Sequence, residues 1–457
     1  MWELFEPHFP SIKDIAEDLS DEIKYQNLKH SIKDAGSLID KFAAKAKVDP
    51  LGHDFANYLD EHDQLKKLRD EFSIPKAGNC TKELVNQELD AWASSGVTGH
   101  FRHKYNRPWI SIAETVTEKT AELVGAKPIE IAIMSTLTSN LHLLMASFYT
   151  PTKTRFKIMI EDKTFPSDQY AVESQIRFHG YDPATALIKV SPPTGEYFPS
   201  LDEILKTIEQ EGDSIALVMF GGVQYYTGQF FKIKKITQVA QRKGCIVGFD
   251  LAHAVGNVVL KLHKWKVDFA SWSTYKYMNS GPGGISSIFV HEKHAYDFDR
   301  PRFAGWWGTD LTSRFQMDKR MVSNPSVLNV VSLLGSLEVF SKTSMVQLRT
   351  KSILLTGYLE YLLDKQLDEL GCKIITPRDP HQRGCQLSLI FDSEKVRSIH
   401  KELMTYGIVV DIREPNCLRV APAPLYNTFS EVWKFVKALK MAVNDLAVKD
   451  DGEVVSL

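Results

Sequence analysis

Two residues 26 positions apart, Asp250 and Lys276, close two apolar runs of the chain. Val247-Gly-Phe-Asp250 ends the first run, and His253 follows to give Asp-x-x-His. Asp268-Phe-Ala-Ser-Trp-Ser273 leads through Thr274 and Tyr275 to Lys276, with Gly281-Pro-Gly-Gly284 just beyond. Read singly, these are a helix-capping acid, a structural histidine and an ordinary surface lysine. Read as an ordered set, they carry chemistry. In an open α/β sheet the C-terminal ends of the strands converge on one crevice, so an acid and a lysine there reach the same ligand. The pair suits pyridoxal 5'-phosphate (PLP). Its aldehyde needs an amine to condense with, and its pyridinium nitrogen needs a carboxylate that keeps it protonated. A buried lysine amine sheds its charge readily, which makes Lys276 the candidate Schiff-base former.

A phosphate group needs backbone amides, hydroxyls and preferably a helix N-terminus. Leu137-Thr138, between a strand-like run and a helical pattern, offers all three, and Thr138 can equally serve as a plain cap. Further along, Phe220-Gly-Gly-Val-Gln-Tyr-Tyr226-Thr-Gly-Gln229 follows a strand-like run, and Gly305-Trp-Trp-Gly308 reads as a turn whose tryptophan could anchor an interface.

The elements that must position these residues alternate in type. Strand-like runs are expected at Glu130 to Met134, Lys157 to Glu161, Ser214 to Phe220, Cys245 to Asp250, Asp268 to Ser273 and Gly284 to Val290. Helical spacing fills most of the gaps, including a helix from Ser111 to a glycine stop at Gly125. That alternation predicts an α/β fold with a mostly parallel central sheet. After about Phe340 a long helix is expected at Met345 to Leu363. Strands follow at Lys373 to Ile375, Gln386 to Phe391, Ile408 to Ile412 and Leu418 to Ala421, then a closing helix at Ser430 to Leu446 and a frayed tail from Lys449. The expected division is a helical N-terminal segment (1–94), a large cofactor-binding domain (95–340) and a smaller C-terminal α+β domain (341–457).

The chain of 457 residues, 43% of them hydrophobic, is long enough for a large core. Lysine and arginine (55) balance aspartate and glutamate (57), so neither a nucleic acid nor a membrane surface is an expected partner. Five cysteines lack metal-ligand spacing, and their odd number points to reduced thiols. With no signal-like N-terminus and no apolar run of about 20 residues, the expectation is a soluble, cytoplasmic protein without a metal.

Three stretches then identify a resemblance. Phe249 to Asn257 (FDLAHAVGN), Ser273 to Gly284 (STYKYMNSGPGG) and Thr164 to Gln175 (TFPSDQYAVESQ) resemble the kynureninases, supported by Gly305-Trp-Trp-Gly308 and Leu418-Arg-Val-Ala-Pro422. The family belongs to the fold-type-I PLP enzymes related to class V aminotransferases. The resemblance implies hydrolytic Cβ–Cγ cleavage of L-kynurenine or 3-hydroxy-L-kynurenine to L-alanine and an anthranilate. It also implies a homodimer with its sites near the subunit interface. By matched position, Phe165 stacks on the cofactor ring, with Pro166, Ser167 and Asp168 completing that wall. Asp250 and His253 line the ring, Tyr275 joins Leu137 and Thr138 at the phosphate, and Tyr226 relays a proton to the departing carbon. Trp306 reaches cofactor or substrate from the neighbouring subunit, and Arg419 clamps the α-carboxylate. His100 and Asn324 surround the aryl ring, Asn324 also touching the cofactor.

The chain departs from the family pattern at three places. Gly221 stands where relatives commonly carry a serine. The stretch between Pro75 and Lys82 is short, keeping only Gly78-Asn79 of a longer motif, and the loop between Met317 and Asn324 is also short. An active kynureninase and a weakly active or inactive relative that keeps the fold are both compatible with this pattern. A cysteine desulfurase or class V transaminase fits less well, because Cys385 begins a strand-like run instead of lying in a mobile loop.

Overall fold

The computed structural model describes residues 32, 34–71, 80–297, 299–303, 326–392 and 395–453. The chain forms two compact units.

The larger unit takes Ser73–Tyr225 and Phe231–Lys342. Its sheet has seven strands: β1 (Ile131–Ile133), β2 (Lys157–Glu161), β3 (Leu187–Val190), β4 (Ile215–Gly221), β5 (Ile246–Asp250), β6 (Phe269–Ser273) and β7 (Ser286–Val290). Their spatial order is β1-β7-β6-β5-β4-β2-β3. Strands β2 to β6 run parallel, and β7 is antiparallel to both neighbours. Strands β4, β5 and β6 are buried along almost their whole length, as expected when helices cover both faces of a parallel sheet. Helices Leu137–Phe148 and Pro166–Phe178 share one apolar cluster with β2 and β4, through Leu141, Leu144, Val172, Ile176, Ile158 and Leu217. That packing fixes where their N-termini lie.

Glu114–Val124 is helical, preceded by a 3₁₀ turn at Trp109–Ser111, so the α-helix starts three residues later than its apolar pattern suggests. It stops at Gly125 (φ 63°), where a Cβ would come within 2.6 Å of the Leu260 carbonyl oxygen. Only glycine meets both demands there.

The smaller unit joins the described part of Met1–Phe72 to Tyr226–Phe230 and Thr343–Leu457. Strands β8 (Lys373–Ile374), β9 (Leu387–Ile390), β10 (Asp411–Arg413) and β11 (Cys417–Val420) form an antiparallel sheet in the order β10-β11-β9-β8. Helices Ala35–Ala46 and His53–Glu61 place Ile39, Phe42, Phe55 and Leu59 into one core with Leu355, Tyr358, Phe429 and Leu439. The N-terminal helices therefore belong with the C-terminal part of the chain. They do not form a separate segment ending at residue 94. Helix Cys80–Ser95 instead packs in the larger unit against helix Val327–Phe340, so closely that a Cβ on Gly335 would lie 2.6 Å from the Thr81 Cα.

The strand expected at Ile408 to Ile412 shrinks to Asp411–Arg413. Ile408 donates its amide back to Leu403 at the end of helix Val396–Thr405, and Val409 is 81% exposed, so the apolar run there is a helix exit. The final helix runs from Phe429 to Glu453, past the expected fraying point. Strand β3 has no counterpart among the expected runs, since only Val190 of its four residues is buried.

Candidate active site

The C-terminal ends of the parallel strands bring the chemistry together. Glu161 closes β2, Gly221 closes β4, Asp250 closes β5, and the turn after β6 carries Tyr275 and Lys276. Glu161, Thr164, Phe165, Asp168, Gly221, Val223, Tyr225, Asp250, His253 and Lys276 line one pocket. The expected acid and lysine thus meet within a single unit.

Asp250 is held firmly. Its Oδ1 accepts the Ala252 amide at 2.7 Å, its backbone carbonyl accepts the Gly222 amide at 2.7 Å, and the residue is 9% exposed. Asp168 enters from the first turn of helix Pro166–Phe178, within hydrogen-bonding reach of the Asp250 carboxyl. Burial and the Asp250 charge push Asp168 well above the usual carboxylate range, Glu161 adds to this, and Lys276 pulls the other way. Two carboxyls that touch out of water cannot both stay ionised unless a cation joins them.

Phe165 is 39% exposed, with the Lys276 Nζ 5.7 Å from its ring centroid and Tyr225 edge-on at 5.2 Å. It offers a bare aromatic face beside the amine. Thr138 and Ser167 sit in the first turns of two separate helices, and their hydroxyls lie 3.1 Å apart. Neither helix has a side-chain cap on its first amides, so Leu137 and Thr138 present N–H groups as an anion site requires. Tyr275 is 47% exposed next to Lys276, and His253 stands edge-on to Tyr277.

Other expected residues lie elsewhere. The His100 Nδ1 donates to the Val97 carbonyl, and its ring packs edge-on against Trp109; it is not among the residues lining the pocket. Tyr226 and Arg419 belong to the smaller unit. There the Tyr226 carbonyl accepts from Gln386, and the Arg419 guanidinium pairs with Asp411, its register partner on β10. Trp306, Asn324, the loop between Met317 and Asn324, and Gly78-Asn79 with the rest of the first shortened stretch before Cys80 fall outside the described residues.

Sequence reasoning missed Glu161, Thr164 and Tyr225. Glu161 is fully buried, and both its carboxylate oxygens lie 3.3 Å from the Gly221 amide. Burial pushes it up to about 7, against hydrogen bonds from its own amide, the Gly221 amide and Thr164. The only signal in the sequence was an acid ending an apolar strand.

A second group of ligating side chains lies at the opposite end of the sheet. Glu130, His263 and His291 hold their ligating atoms within 4.8 Å of one another. They satisfy each other through hydrogen bonds: His263 Nδ1 to Glu130 at 2.9 Å, and the amides of Lys127 and Glu292 to the same carboxylate.

A pocket holding a part-buried lysine, paired acids, an open aromatic face and uncapped helix amides fits PLP: amine for aldehyde, carboxylate for ring nitrogen, amides and hydroxyls for phosphate. The fold defines the class. It is shared with a cysteine desulfurase from Thermococcus onnurineus (TM-score 0.63, 17% identity, 80% of this chain and 92% of that one). It is also shared with an alanine–glyoxylate aminotransferase from Nostoc sp. (TM-score 0.57, 14% identity, 73% and 87%). Sequence narrows it further. Residues 348–439 match the kynureninase C-terminal domain family. The chain is 48% identical to a kynureninase from Nematostella vectensis over 450 residues, covering 88% of this chain and 96% of that one. It is 46% identical to the kynureninase of Rattus norvegicus, covering 87% and 95%. The chain belongs to the kynureninase family.

Proposed function

We propose that this protein is a PLP-dependent hydrolase that cleaves the Cβ–Cγ bond of L-kynurenine or 3-hydroxy-L-kynurenine, with water, to L-alanine and anthranilate or 3-hydroxyanthranilate. The reading rests on one observation. Lys276, Asp250, Asp168 and Phe165 line a single pocket in a chain 48% identical to a kynureninase. When bound, PLP supplies an aldehyde for an amine to capture and a protonated ring that withdraws electrons from the bonds at the substrate's α-carbon.

The chain's own residues would do the rest. Lys276 would hold the cofactor through its amine and would be the base that moves the substrate's α-proton. Asp250, fixed by the Ala252 amide, accepts the ring N–H, and Asp168 stands behind it. Phe165 packs on one ring face. The amides of Leu137 and Thr138, with the hydroxyls of Thr138, Ser167 and Tyr275, hold the phosphate; Pro166 starts the helix that carries Ser167, and His253 closes the wall. Tyr226 donates the proton that the departing β-carbon takes up. Arg419 binds the α-carboxylate through its planar fork. His100 and Asn324 select the aryl ring, and Trp306 completes the site from a second copy in a cytoplasmic homodimer.

The alternative of an idle relative has no support in the described pocket, where the lysine and the buried acids are all present. Among the described residues no helix is long and apolar enough to cross a membrane. The test is direct: purified protein with PLP is given 3-hydroxykynurenine, and alanine and the fluorescent aminobenzoate are measured together. Equimolar products that vanish in Lys276→Ala are expected. PLP binding without either product would overturn the reading.

A further inference from the structure

The cofactor-facing acid Asp250 does not stand alone. On β4 and β5, Gly221 and Asp250 are register partners, and the amide of Gly221 points away from Asp250 onto the carboxyl of Glu161. Glu161 thus grips the strand end that lies against Asp250, while sharing its pocket. Its hydrogen bonds come from donors without charge: its own amide, the Gly221 amide and Thr164. The charged groups facing this corner are Asp168 from helix Pro166–Phe178, Asp250 from β5 and Lys276 from the turn after β6, with the titratable His253 from the turn after β5. Three buried carboxyls therefore share one lysine.

Such a corner is short of positive charge, and protons must make up the difference. A ring nitrogen that docks as a cation on Asp250 changes that balance. By reciprocal linkage, whatever stabilises an ionised Glu161 is itself bound more tightly once Glu161 has ionised. Gly221 makes this coupling particular to the chain. Lacking a side chain, it leaves the Glu161 carboxyl facing the turn, where an added Cβ would lie only 3.2 Å from the Glu161 Oε1.

We propose that Glu161 is a positioning residue and proton reservoir for the cofactor site: it carries a proton when the site is empty and releases it as the cationic ring end of PLP docks against Asp250. The inference rests on the PLP reading above. Burial that lifts the Glu161 carboxyl to about 7 places this exchange near neutral pH.

The experiment measures the PLP dissociation constant of the whole chain between about pH 6 and pH 8. Infrared spectra of the same samples follow the C=O stretch of a protonated carboxylic acid. The wild type should bind PLP about tenfold more tightly at the upper pH, the factor carried by one pK unit of coupling. PLP should also remove a protonated-carboxyl band at the lower pH. In Glu161→Gln the affinity change should shrink to below about twofold, and the PLP-sensitive band should be gone. Gly221→Ser, whose hydroxyl can donate to the Glu161 carboxylate, should shift the inflection to lower pH; this variant decides the matter if Glu161→Gln fails to fold. An inflection and a band that persist unchanged in Glu161→Gln, or an inflection unmoved in Gly221→Ser, would overturn the proposal while leaving PLP binding intact. Absence of PLP binding at every pH would instead remove the cofactor reading, and this inference with it.

Discussion

The seven-stranded sheet has buried acids at both ends of its parallel strands, and the two ends live differently. Just before β6, Asp268 is enclosed by donors: the Val247 amide at 2.8 Å, Gln241 at 3.0 Å, the His294 ring at 2.9 Å and the Lys293 ammonium. Burial alone would raise Asp268, but hydrogen bonds from His294, Lys293 and Gln241 outweigh it and hold the carboxyl below its ordinary range. Glu130, at the start of β1, is served in the same way by His263 and two amides. At the other end Glu161, Asp168 and Asp250 crowd one lysine, and two of the three are driven upward. The same sheet therefore hides charge at one end by pairing it fully and keeps it underpaired at the other. Full pairing secures the fold, and underpairing leaves room for a cationic ligand.

The comparison can be broken most sharply at Lys276. Lys276→Ala should reduce turnover by about a thousandfold or more while leaving the melting temperature within a few degrees of wild type. A variant that keeps a tenth of the activity would show that the lysine is not the reacting amine.

Asp268→Ala should behave in the opposite sense. Removing Asp268 leaves the Val247 amide and Gln241 without their acceptor and takes the partner from His294 and the part-exposed Lys293, at about 1–3 kcal/mol for each buried donor left unpaired. Denaturant unfolding should reveal the loss, and turnover per folded molecule should stay near wild type. Comparable loss of both would mean the two ends are not separable.

Protonation offers a finer test. Glu161 is raised from 4.5 to about 7 in the folded protein, so its contribution favours folding fully below about pH 4.5 and fades as pH climbs through 7, on the order of 3 kcal/mol in all. Unfolding of the PLP-free protein followed across that window should show the decline, and Glu161→Gln should flatten it. An equal slope in the variant would assign the titration to Asp168.

The smallest effect belongs to the other unit. Arg419→Lys should raise the substrate KM by roughly 10- to 100-fold, the equivalent of about 1.5–3 kcal/mol for a charged, bidentate contact, with PLP affinity unchanged. Equal losses would make Arg419 a structural partner of Asp411 alone.

Much of the site was legible because spacing and type coincide. Asp250 and Lys276 each end an apolar run, and apolar runs of that kind become adjacent parallel strands. Glu161 was not legible. One acid after Lys-Ile-Met-Ile has no motif, and its meaning comes from Gly221, 60 residues later and one strand across. Asp268 was hidden likewise, since its side-chain partners lie on two distant elements, Gln241 on helix Ile233–Arg242 and Lys293 and His294 on the turn Glu292–His294. A helical N-terminal segment was expected, but the destination of its helices was not legible, because an apolar face specifies burial and leaves the covering partner unspecified.

That destination has a consequence for how the protein is made. Phe42, Phe55 and Leu59 share a core with Leu355, Tyr358, Phe429 and Leu439, which come late in the chain. At roughly 5–20 residues per second of synthesis, the 295 residues between Leu59 and Leu355 separate the emergence of the two halves by some tens of seconds. During that interval the larger unit can already close its sheet, while the early helices emerge from the ribosome with their apolar stripes uncovered. The newborn chain is thus a natural client for holding chaperones until its last hundred residues arrive.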